Sequence, residues 1–298
     1  MEKSKLEKLK KRSSGKYSVS GVNFGSNLEN ETKNYLINQN YLDFESIIKT
    51  IKIKFNKNYP FGYILKFENE IVGFLGTIFS DRIINNQNYT YCNLHTWIVN
   101  KSHRLNSYLL LLPVLEKKVC IMTFTPVKSL IGLYQKFDFN KIQMKYNINF
   151  ISGFNNIFSK NNLEIDLKTN SMQNKLKEND LKILKDHHNS EFIKFFVFDK
   201  KNSSNYSLVV SSLVKKKFFN VLNILYVSDT SFFKNNWRQI RHLISQKLNI
   251  SFCGQYYLSK NGSIFPPNKF FSVNLNREIC VKDLPNDMNF NILYSEII

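Results

Sequence analysis

The chain has 298 residues and a formal net charge of +19, from 42 Lys and Arg against 23 Asp and Glu. Its hydrophobic content of 43% and its 26 Phe exclude a wholly disordered chain, because they can form a sizeable core. No apolar run reaches the roughly 18 residues that span a bilayer, so we expect no membrane insertion. The charged N-terminus lacks the apolar core of a signal peptide.

The four cysteines are scattered, without C-x-x-C spacing or a nearby His at ligand spacing. They indicate neither a zinc site nor a disulfide framework, so we predict no metal and a cytoplasmic location. The excess of cations is spread over both halves of the chain and consists mostly of Lys. This pattern favours a generally basic surface over a dedicated nucleic-acid site, although such a surface also attracts small anionic substrates.

The first half predicts alternating strands and helices. Residues 1–16 are a basic, polar leader, and Tyr17–Phe24 has the pattern of a first strand. Helical spacing covers Asn27–Leu36 and Tyr41–Phe55. A hairpin around the turn Glu68-Asn69-Glu70 comes next. The strand YTYCNLHTWIV and the helix NKSHRLNSYLLLL follow it. The strand VCIMTFT, the helix PVKSLIGLYQK and the boundary FDFNKI come after them.

The second half repeats this order more weakly after a polar connector, Ser152–Asn162. Two paired strands are expected at Phe192–Phe198 and Tyr206–Leu213, and a third strand at Phe218–Val227. A helix is expected at Phe232–Leu248 and a fourth strand at Ile250–Leu258. The closing FNILYSEII is expected to form a strand or a helix. We therefore predict an α+β fold with domains at residues 17–150 and 151–298. An unrelated α+β cap is the alternative for the second domain.

The passage from strand to helix at Arg104 indicates an anion site. The first N–H groups of a helix have no acceptor within it, and they can bind a diphosphate. The turn runs over Arg104, Leu105, Asn106, Ser107 and Tyr108. A helix N-terminus capped by Asn106 or Ser107, with no ligand, is the alternative interpretation.

Two segments resemble motifs of the GCN5-related N-acetyltransferases (the GNAT superfamily). LYQKFDF resembles their F/L-Y-x-K-x-G-F segment, and the turn from Arg104 resembles their R/Q-x-x-G-x-G/A turn, with Ser107 and Leu109 at the two small-residue positions. The resemblance implies a GNAT-like mixed sheet flanked by helices, with a second, degenerate GNAT-like half that completes the acceptor pocket or acts as a lid. It also implies acetyl-CoA as co-substrate, bound by the turn residues with Trp97 and Val99.

Candidate catalytic residues follow from the same segments. In the family, the Tyr of the closing motif supplies the acid for the leaving thiolate, which corresponds to Tyr134 here; Asp138 replaces the usual Gly. Tyr134 as a packing residue is the alternative. Period-two spacing puts Tyr91, Asn93, His95 and Trp97 on one face of their strand.

That face is expected to line the substrate cleft. His95 is then the candidate base, because its usual pKa suits removal of a proton from an amine through water; a His that is only hydrogen-bonded is the alternative. Asn93 could orient the acceptor or the acyl carbonyl, and Asp81 and Arg82 are candidate contacts to a polar acceptor.

The resemblance implies an acyl-CoA-dependent N-acyltransferase that acetylates a primary amine of a small molecule or an amino sugar. Two alternatives remain open. Tandem GNAT folds also use aminoacyl-tRNA, for which the net charge of +19 is suitable. The other alternative is a non-catalytic binding protein in which Leu109 closes the cofactor groove.

Overall fold

A computed structural model describes residues 16–39, 55–84, 87–151, 162–168, 176–188, 190–216, 218–259, 262–265, 275–285 and 292–295. The strands of this part are β1 Tyr17–Val22, β2 Gly62–Phe67, β3 Glu70–Ile84, β4 Gln87–Val99, β5 Cys120–Thr123, β6 Asn140–Phe150, β7 Leu163–Asp166, β8 Ile193–Asp199, β9 Tyr206–Lys216, β10 Phe219–Val227, β11 Phe252–Leu258 and β12 Leu275–Lys282. The helices are α1 Asn27–Ile37, a 3-10 helix Lys101–Leu111 that continues into α2 Leu112–Leu115, α3 Lys128–Lys136, α4 Glu178–Asp186, α5 Thr230–Asn235 and α6 Trp237–Leu248.

The chain divides into two compact units. The first contains Met1–Ile142, Glu278–Met288 and Tyr294–Ile297, and the second contains Gln143–Arg277, Asn289–Leu293 and Ile298. In the first unit the strand order is β1-β2-β3-β4-β5-β12. All neighbours are antiparallel except β4 and β5, which are parallel and joined through the 3-10 helix and α2.

The β2–β3 hairpin has the two-residue turn Glu68-Asn69, with φ of 47° and 76°. Positive φ at both turn residues is typical of a turn whose twist matches the flanking strands.

The two faces of the first unit's sheet have separate cores. On one face Leu75 and Leu94 pack with residues of the 3-10 helix, α2 and α3, including Leu110 and Tyr134; we call this the α3 face. On the other, Ile64, Phe74 and Ile98 pack with Leu36 of α1; we call this the α1 face. A side chain of β4 therefore meets different surroundings according to the face on which it lies.

The second unit has the order β6-β11-β10-β9-β8-β7. Strands β7 to β10 are antiparallel neighbours, and β11 is parallel to β10. The helices α5 and α6 connect β10 to β11 and pack on one face of the sheet, where Trp237 and Ile240 join the core. The sixth strand, β6, pairs with β11. Both units thus contain four antiparallel strands, a helical connection and a parallel fifth strand.

The α+β prediction is confirmed. The expected helix at Tyr41–Phe55 lies outside the described residues except for Phe55, as do nearly all of the leader 1–16 and the connector 152–162. The expected helix Phe232–Leu248 is two helices that meet at Asn236. Strand β12 was not expected, and residues 292–295 form a turn where a strand or a helix was predicted. No helix among the described residues is both long and apolar enough to cross a bilayer.

Candidate active site

Strands β4 and β5 separate part-way along their length. Their pairing runs from Tyr91–Cys120 to Asn93–Met122, yet β4 continues to Val99. Among the described strands, none pairs with Leu94–Val99 on the β5 side. The Val99 carbonyl accepts a long hydrogen bond from Arg104 Nε (3.5 Å). The other backbone N–H and C=O groups on that side have no strand partner among the described residues, which suits an extended ligand that carries amides of its own.

A β-bulge lies in the same stretch of β4. Leu75 and Gly76, which are adjacent on β3, pair with Trp97 and His95, so Thr96 is the extra residue. Thr96 has φ of 46°, which is rare for a β-branched residue and costs on the order of 1–3 kcal/mol. Such strain persists where the surrounding fold imposes it, and it is concentrated at functional sites.

The bulge changes the faces predicted for β4. Since Leu75 and Gly76 point to opposite faces, their partners Trp97 and His95 do so too. Trp97 packs with the core of the α3 face, while His95 stays on the α1 face with Asn93. The expectation that Trp97 shares the face of Asn93 and His95 was therefore wrong, because strict alternation ends at a bulge.

The helix that follows β4 begins at Lys101. The Asn100 side chain accepts a hydrogen bond from the Tyr35 hydroxyl (3.1 Å) and does not cap the helix. The N–H of His103 donates to the carbonyl of Asn100. The amides of Lys101 and Ser102 thus lie at the exposed start of the helix, directly beyond the end of β4.

The predicted turn residues lie further along this helix. From Arg104 to Tyr108 the backbone is inside the 3-10 helix, where N–H groups donate to carbonyls three residues back. Leu105 is 91% exposed, whereas Leu109 is buried in the core of the α3 face and does not enter the gap beside β4. The backbone amides suited to an anion are therefore those of Lys101 and Ser102, which come before the predicted turn. The exposed Arg104 side chain lies within one helical turn of these two amides.

Tyr134 lies on α3 beside the gap. Its ring makes an edge contact with Trp97 (centroids 5.5 Å apart) and packs on Phe139 (5.1 Å). The N–H of Phe139 donates to the Tyr134 carbonyl, and that of Asp138 to the Gln135 carbonyl. These two bonds form a Schellman motif, which needs a left-handed residue after the helix; Asp138 takes that role with φ of 62°. Gly adopts the left-handed conformation most easily, which explains why Gly is usual at the motif position that Asp138 occupies here.

His95 is buried against Gly76, and a Cβ on Gly76 would overlap its ring. Its Nδ1 lies 2.9 Å from the Thr96 hydroxyl oxygen, and its Nε2 has no hydrogen-bond partner in the part of the chain that the structure describes. Burial lowers the pKa of His95 to about 3. The imidazole is therefore neutral near pH 7, and it is a weaker proton acceptor than its usual pKa implies.

Asp81 and Arg82 point to opposite faces of β3. Asp81 accepts hydrogen bonds from Asn56 Nδ2 (2.7 Å) and the Thr90 hydroxyl (2.8 Å). Arg82 is buried, with its guanidinium carbon 4.3 Å from the Tyr91 ring centroid and 5.2 Å from that of Tyr294. The structure therefore separates these two candidate acceptor contacts.

The energetics of Arg82 are unusual. Desolvation of a charged group costs several kcal/mol, while a desolvated cation–π contact returns about 2 kcal/mol. The two ring contacts offset part of that cost but provide no acceptor for Nε or Nη1, which have no hydrogen-bond partner among the described residues. Burial also lowers the pKa of Arg82. Arg82 is thus a buried cation with unused N–H donors.

The corresponding place in the second unit is built differently. Strand β10 also has a bulge near its end, at Leu225, and its pairing with β11 stops at Ile224. The next helix, α5, is capped by its own carboxylate: Asp229 Oδ1 accepts from the N–H of Phe232 at 2.8 Å. A helix start that is already occupied by an internal anion is unsuited to a diphosphate.

Solved structures with the same fold are GCN5-related N-acetyltransferases. One from Anabaena variabilis has a TM-score of 0.60 and 10% identity, over 89% of this chain and 72% of that one. One from Kribbella flavida has a TM-score of 0.54 and 9% identity, over 89% and 70%. The chain therefore shares the mixed α+β fold of these GCN5-related N-acetyltransferases, which is the fold that the motif resemblance implied.

A third similar structure is the GCN5-related glucosamine N-acetyltransferase region of a fungal multi-domain GH3 β-N-acetylglucosaminidase. It has a TM-score of 0.54 and 9% identity, over 89% of this chain and 38% of that one. No protein-family profile matches the sequence, and neither does any curated protein sequence. At these identities the likeness is one of fold.

Proposed function

We propose that the protein is an acyl-CoA-dependent N-acyltransferase that uses acetyl-CoA and whose active site is in the first unit. The observation that carries this proposal is the separation of β4 from β5 after Asn93, with a bulge at Thr96 and an uncapped helix start at Lys101 immediately beyond. An extended edge of backbone amides next to exposed helix amides suits a ligand that has amide groups followed by a diphosphate.

In this proposal the cofactor follows the β4 edge. The pantetheine amides pair with backbone groups near Trp97 and Val99, and the diphosphate accepts from the amides of Lys101 and Ser102. The Arg104 side chain, which is exposed on the first turns of that helix, adds a charge-assisted contact to the diphosphate. Asn106, Ser107, Tyr108 and Leu105 follow on the same helix and are the remaining predicted contacts.

In this proposal, groups from both faces of the sheet act at the gap between β4 and β5: His95 and Asn93 from the α1 face and Tyr134 from the α3 face. The acceptor nitrogen attacks the thioester carbon, the tetrahedral intermediate loses the C–S bond, and the thiolate takes a proton from the Tyr134 hydroxyl. The nitrogen gives up one proton through water, which restores the Tyr134 hydroxyl, so that amide and free thiol are the products. Because the pKa of His95 is lowered to about 3 by burial, its neutral ring is better suited to hold the amine through Nε2 than to remove the proton. Asn93, buried on the same face, completes that side of the site.

Titration calorimetry with acetyl-CoA and the full chain tests the cofactor assignment. We expect saturable binding that free CoA competes away. Arg104→Gln is expected to weaken it about tenfold, since one charge-assisted contact is worth roughly 1.5–3 kcal/mol. Arg238→Gln, an exposed Arg of α6 in the second unit, is the matched control. Absence of heat and of a thermal shift would overturn the proposal in favour of a non-catalytic binding protein.

Release of free CoA thiol in the presence of amines tests the acceptor class. Glucosamine is included because one similar fold is that of a glucosamine N-acetyltransferase region. An aminoacyl-tRNA donor would instead bind with a steep loss of affinity on added salt, and acetyl-CoA would not turn over. Saturable acetyl-CoA binding that tRNA does not affect speaks against that donor.

We also propose that the second unit is a degenerate relative of the first. The support is its equivalent strand order, its helical connection between parallel strands and its own bulge in β10. A cytoplasmic location is part of the proposal, because Cys92, Cys120, Cys253 and Cys280 are buried free thiols, which suits a reducing compartment.

A further inference from the structure

The hairpin formed by β9 and β10 continues beyond the core of the second unit. Val221 of β10 is fully buried, but the next pair towards the turn, Asn220 and Lys215, is exposed on both strands. Lys216 and Phe219, which form the last pair, are only partly buried. We call this end of the hairpin the β9–β10 tip; its described residues are Lys215, Lys216, Phe218, Phe219 and Asn220.

The tip carries apolar side chains that no other described residue covers. Phe218 is 93% exposed, and no large apolar side chain in the described part of the chain is more exposed. The ring of Phe219 packs on that of Phe252 (centroids 4.3 Å apart), which fixes the tip to the sheet. Leu213, behind the tip, is 51% exposed and lies on the opposite face of the hairpin from Phe219. Apolar side chains at the turn and on both faces suit an apolar phase that surrounds the tip, and not a partner that contacts one face.

The charge around these side chains has one sign. Residues 200–228 contain five Lys and no Asp or Glu, and three of these Lys are consecutive, at 215–217 next to Phe218. The adjacent strands β6, β9, β10 and β11 contain no acidic residue either. Lys and exposed Phe together are the composition of segments that lie in the interface of an anionic membrane.

We propose that the β9–β10 tip attaches the protein to the surface of an anionic bilayer. Phe218 enters the boundary between headgroups and acyl chains, while Lys215 and Lys216 contact the negative headgroups. About three residues of each strand lie beyond the buried core, or roughly 10 Å, which matches the depth of roughly 5–10 Å that interfacial segments reach.

This attachment to the surface needs no membrane-spanning element. The cytoplasmic leaflet carries anionic lipids, so the attachment is compatible with the proposed cytoplasmic location. It does not depend on the proposed acyl transfer, and an inactive protein would show it equally.

Flotation of the full chain with vesicles tests the attachment at about 0.15 M salt, where long-range attraction between exposed charges is screened. Vesicles of phosphatidylcholine with phosphatidylserine should bind the protein about tenfold or more tighter than vesicles of phosphatidylcholine alone. Phe218→Ser should weaken binding to the mixed vesicles about tenfold, because the charge stays and the apolar group is lost. The matched control is Val127→Ser, at a 59% exposed position that begins α3, where Ser is favoured. It should bind as the wild type does.

A pair of charge variants separates the tip from the net charge of the chain. Replacement of both Lys215 and Lys216 by Gln should weaken binding to the mixed vesicles about tenfold. The control replaces Lys200 and Lys201 by Gln, which are exposed and lie at the opposite end of β9. This control loses the same charge and should keep the binding. Equal weakening in both would overturn the proposal, because it would mean adsorption through net charge alone.

Phe218→Trp reports insertion directly. Its emission should shift to shorter wavelength when mixed vesicles are added, relative to the wild type, which contains only Trp97 and Trp237. An unshifted emission, no binding to mixed vesicles, or binding that survives Phe218→Ser would overturn the proposal. Binding of a single-stranded RNA that Phe218→Ser abolishes, without binding to vesicles, would also overturn it and would assign the tip to nucleic acid. The comparison of the two vesicle compositions uses the unaltered protein, so it stands even where a variant does not fold.

Discussion

Tyr134 packs through its ring, against Trp97 on one side and Phe139 on the other. Tyr134→Phe keeps those contacts and removes only the hydroxyl. If that hydroxyl protonates the leaving thiolate, we expect kcat to fall about a hundredfold or more, the usual range for a general acid. The Kd for acetyl-CoA should stay within about twofold. Steady-state kinetics and calorimetry measure the two quantities.

The matched control for this prediction is Tyr256→Phe. Tyr256 is a partly buried tyrosine of β11 whose ring packs on Tyr146 in the second unit. This variant should retain full activity. Unchanged kcat in Tyr134→Phe would limit Tyr134 to packing, the alternative that the sequence left open.

His95 makes stability depend on pH. Burial lowers its pKa from 6.5 to about 3 in the folded protein, while the unfolded chain takes up the proton near pH 6.5. Between these values the unfolded state binds more protons, so the free energy of unfolding falls as the pH falls. We expect His95 to contribute a loss of about 1 kcal/mol per pH unit between pH 6 and pH 5.

Urea unfolding of the wild type and of His95→Asn at several pH values checks this contribution. In His95→Asn the free energy of unfolding should fall less steeply as the pH falls from 6 to 5. The control is His242→Asn, at a partly exposed position of α6, which should keep the pH dependence of the wild type. Parallel slopes for the wild type and His95→Asn would show that His95 is more accessible to protons than its burial implies.

The bulge in β4 depends on a small residue in the facing strand. A Cβ at Gly76 would overlap the His95 ring, whereas a Cβ at Gly132, inside α3, would meet nothing within 4 Å. Gly76→Ala should therefore destabilise the fold by about 1–3 kcal/mol through overpacking. Gly132→Ala should stabilise it by about 0.4–1 kcal/mol, because Ala loses less backbone entropy in a helix.

Chemical denaturation of both variants tests this pair, and each serves as the control of the other. The Ala at position 76 should also weaken acetyl transfer, because displacing His95 disturbs the α1 face at the gap. A Gly76→Ala protein as stable as the wild type would mean that the His95 ring can move without loss.

The elements that could be predicted are those with local signals. The hairpin at Glu68-Asn69 and the helix of LYQKFDF follow from turn residues and apolar spacing. The bulge at Thr96 leaves no such signal, because it is imposed by pairing between β3 and β4. Strand β12 was missed for a similar reason: it is defined by its pairing with β5, more than 150 residues earlier in the chain.

The same distinction applies to the candidate site. Motif spacing alone placed Tyr134 on the helix of LYQKFDF and Leu109 on the helix that follows β4. The bulge that separates the faces of His95 and Trp97, and the lack of a side-chain cap from Asn100, depend on backbone geometry that spacing does not encode. The sequence therefore indicated the segment, and the fold determined which of its atoms are available.

The two units of the molecule differ at one point that matters for cofactor binding. Each has a bulge near the end of its fourth antiparallel strand. In the first unit the following helix start is uncapped by a side chain, whereas in the second the Asp229 carboxylate already accepts from the N–H of Phe232. A second negative charge there would be repelled and would find that donor engaged.

We therefore expect one acetyl-CoA per chain. Calorimetry should give a stoichiometry near 1 at about 0.15 M salt, and the same value at about 0.5 M salt, where non-specific attraction to a chain of net charge +19 is screened. Arg104→Gln should weaken the single site without revealing another. A stoichiometry near 2 at both salt concentrations would contradict this, because it would require the second unit to bind the cofactor despite its internal cap.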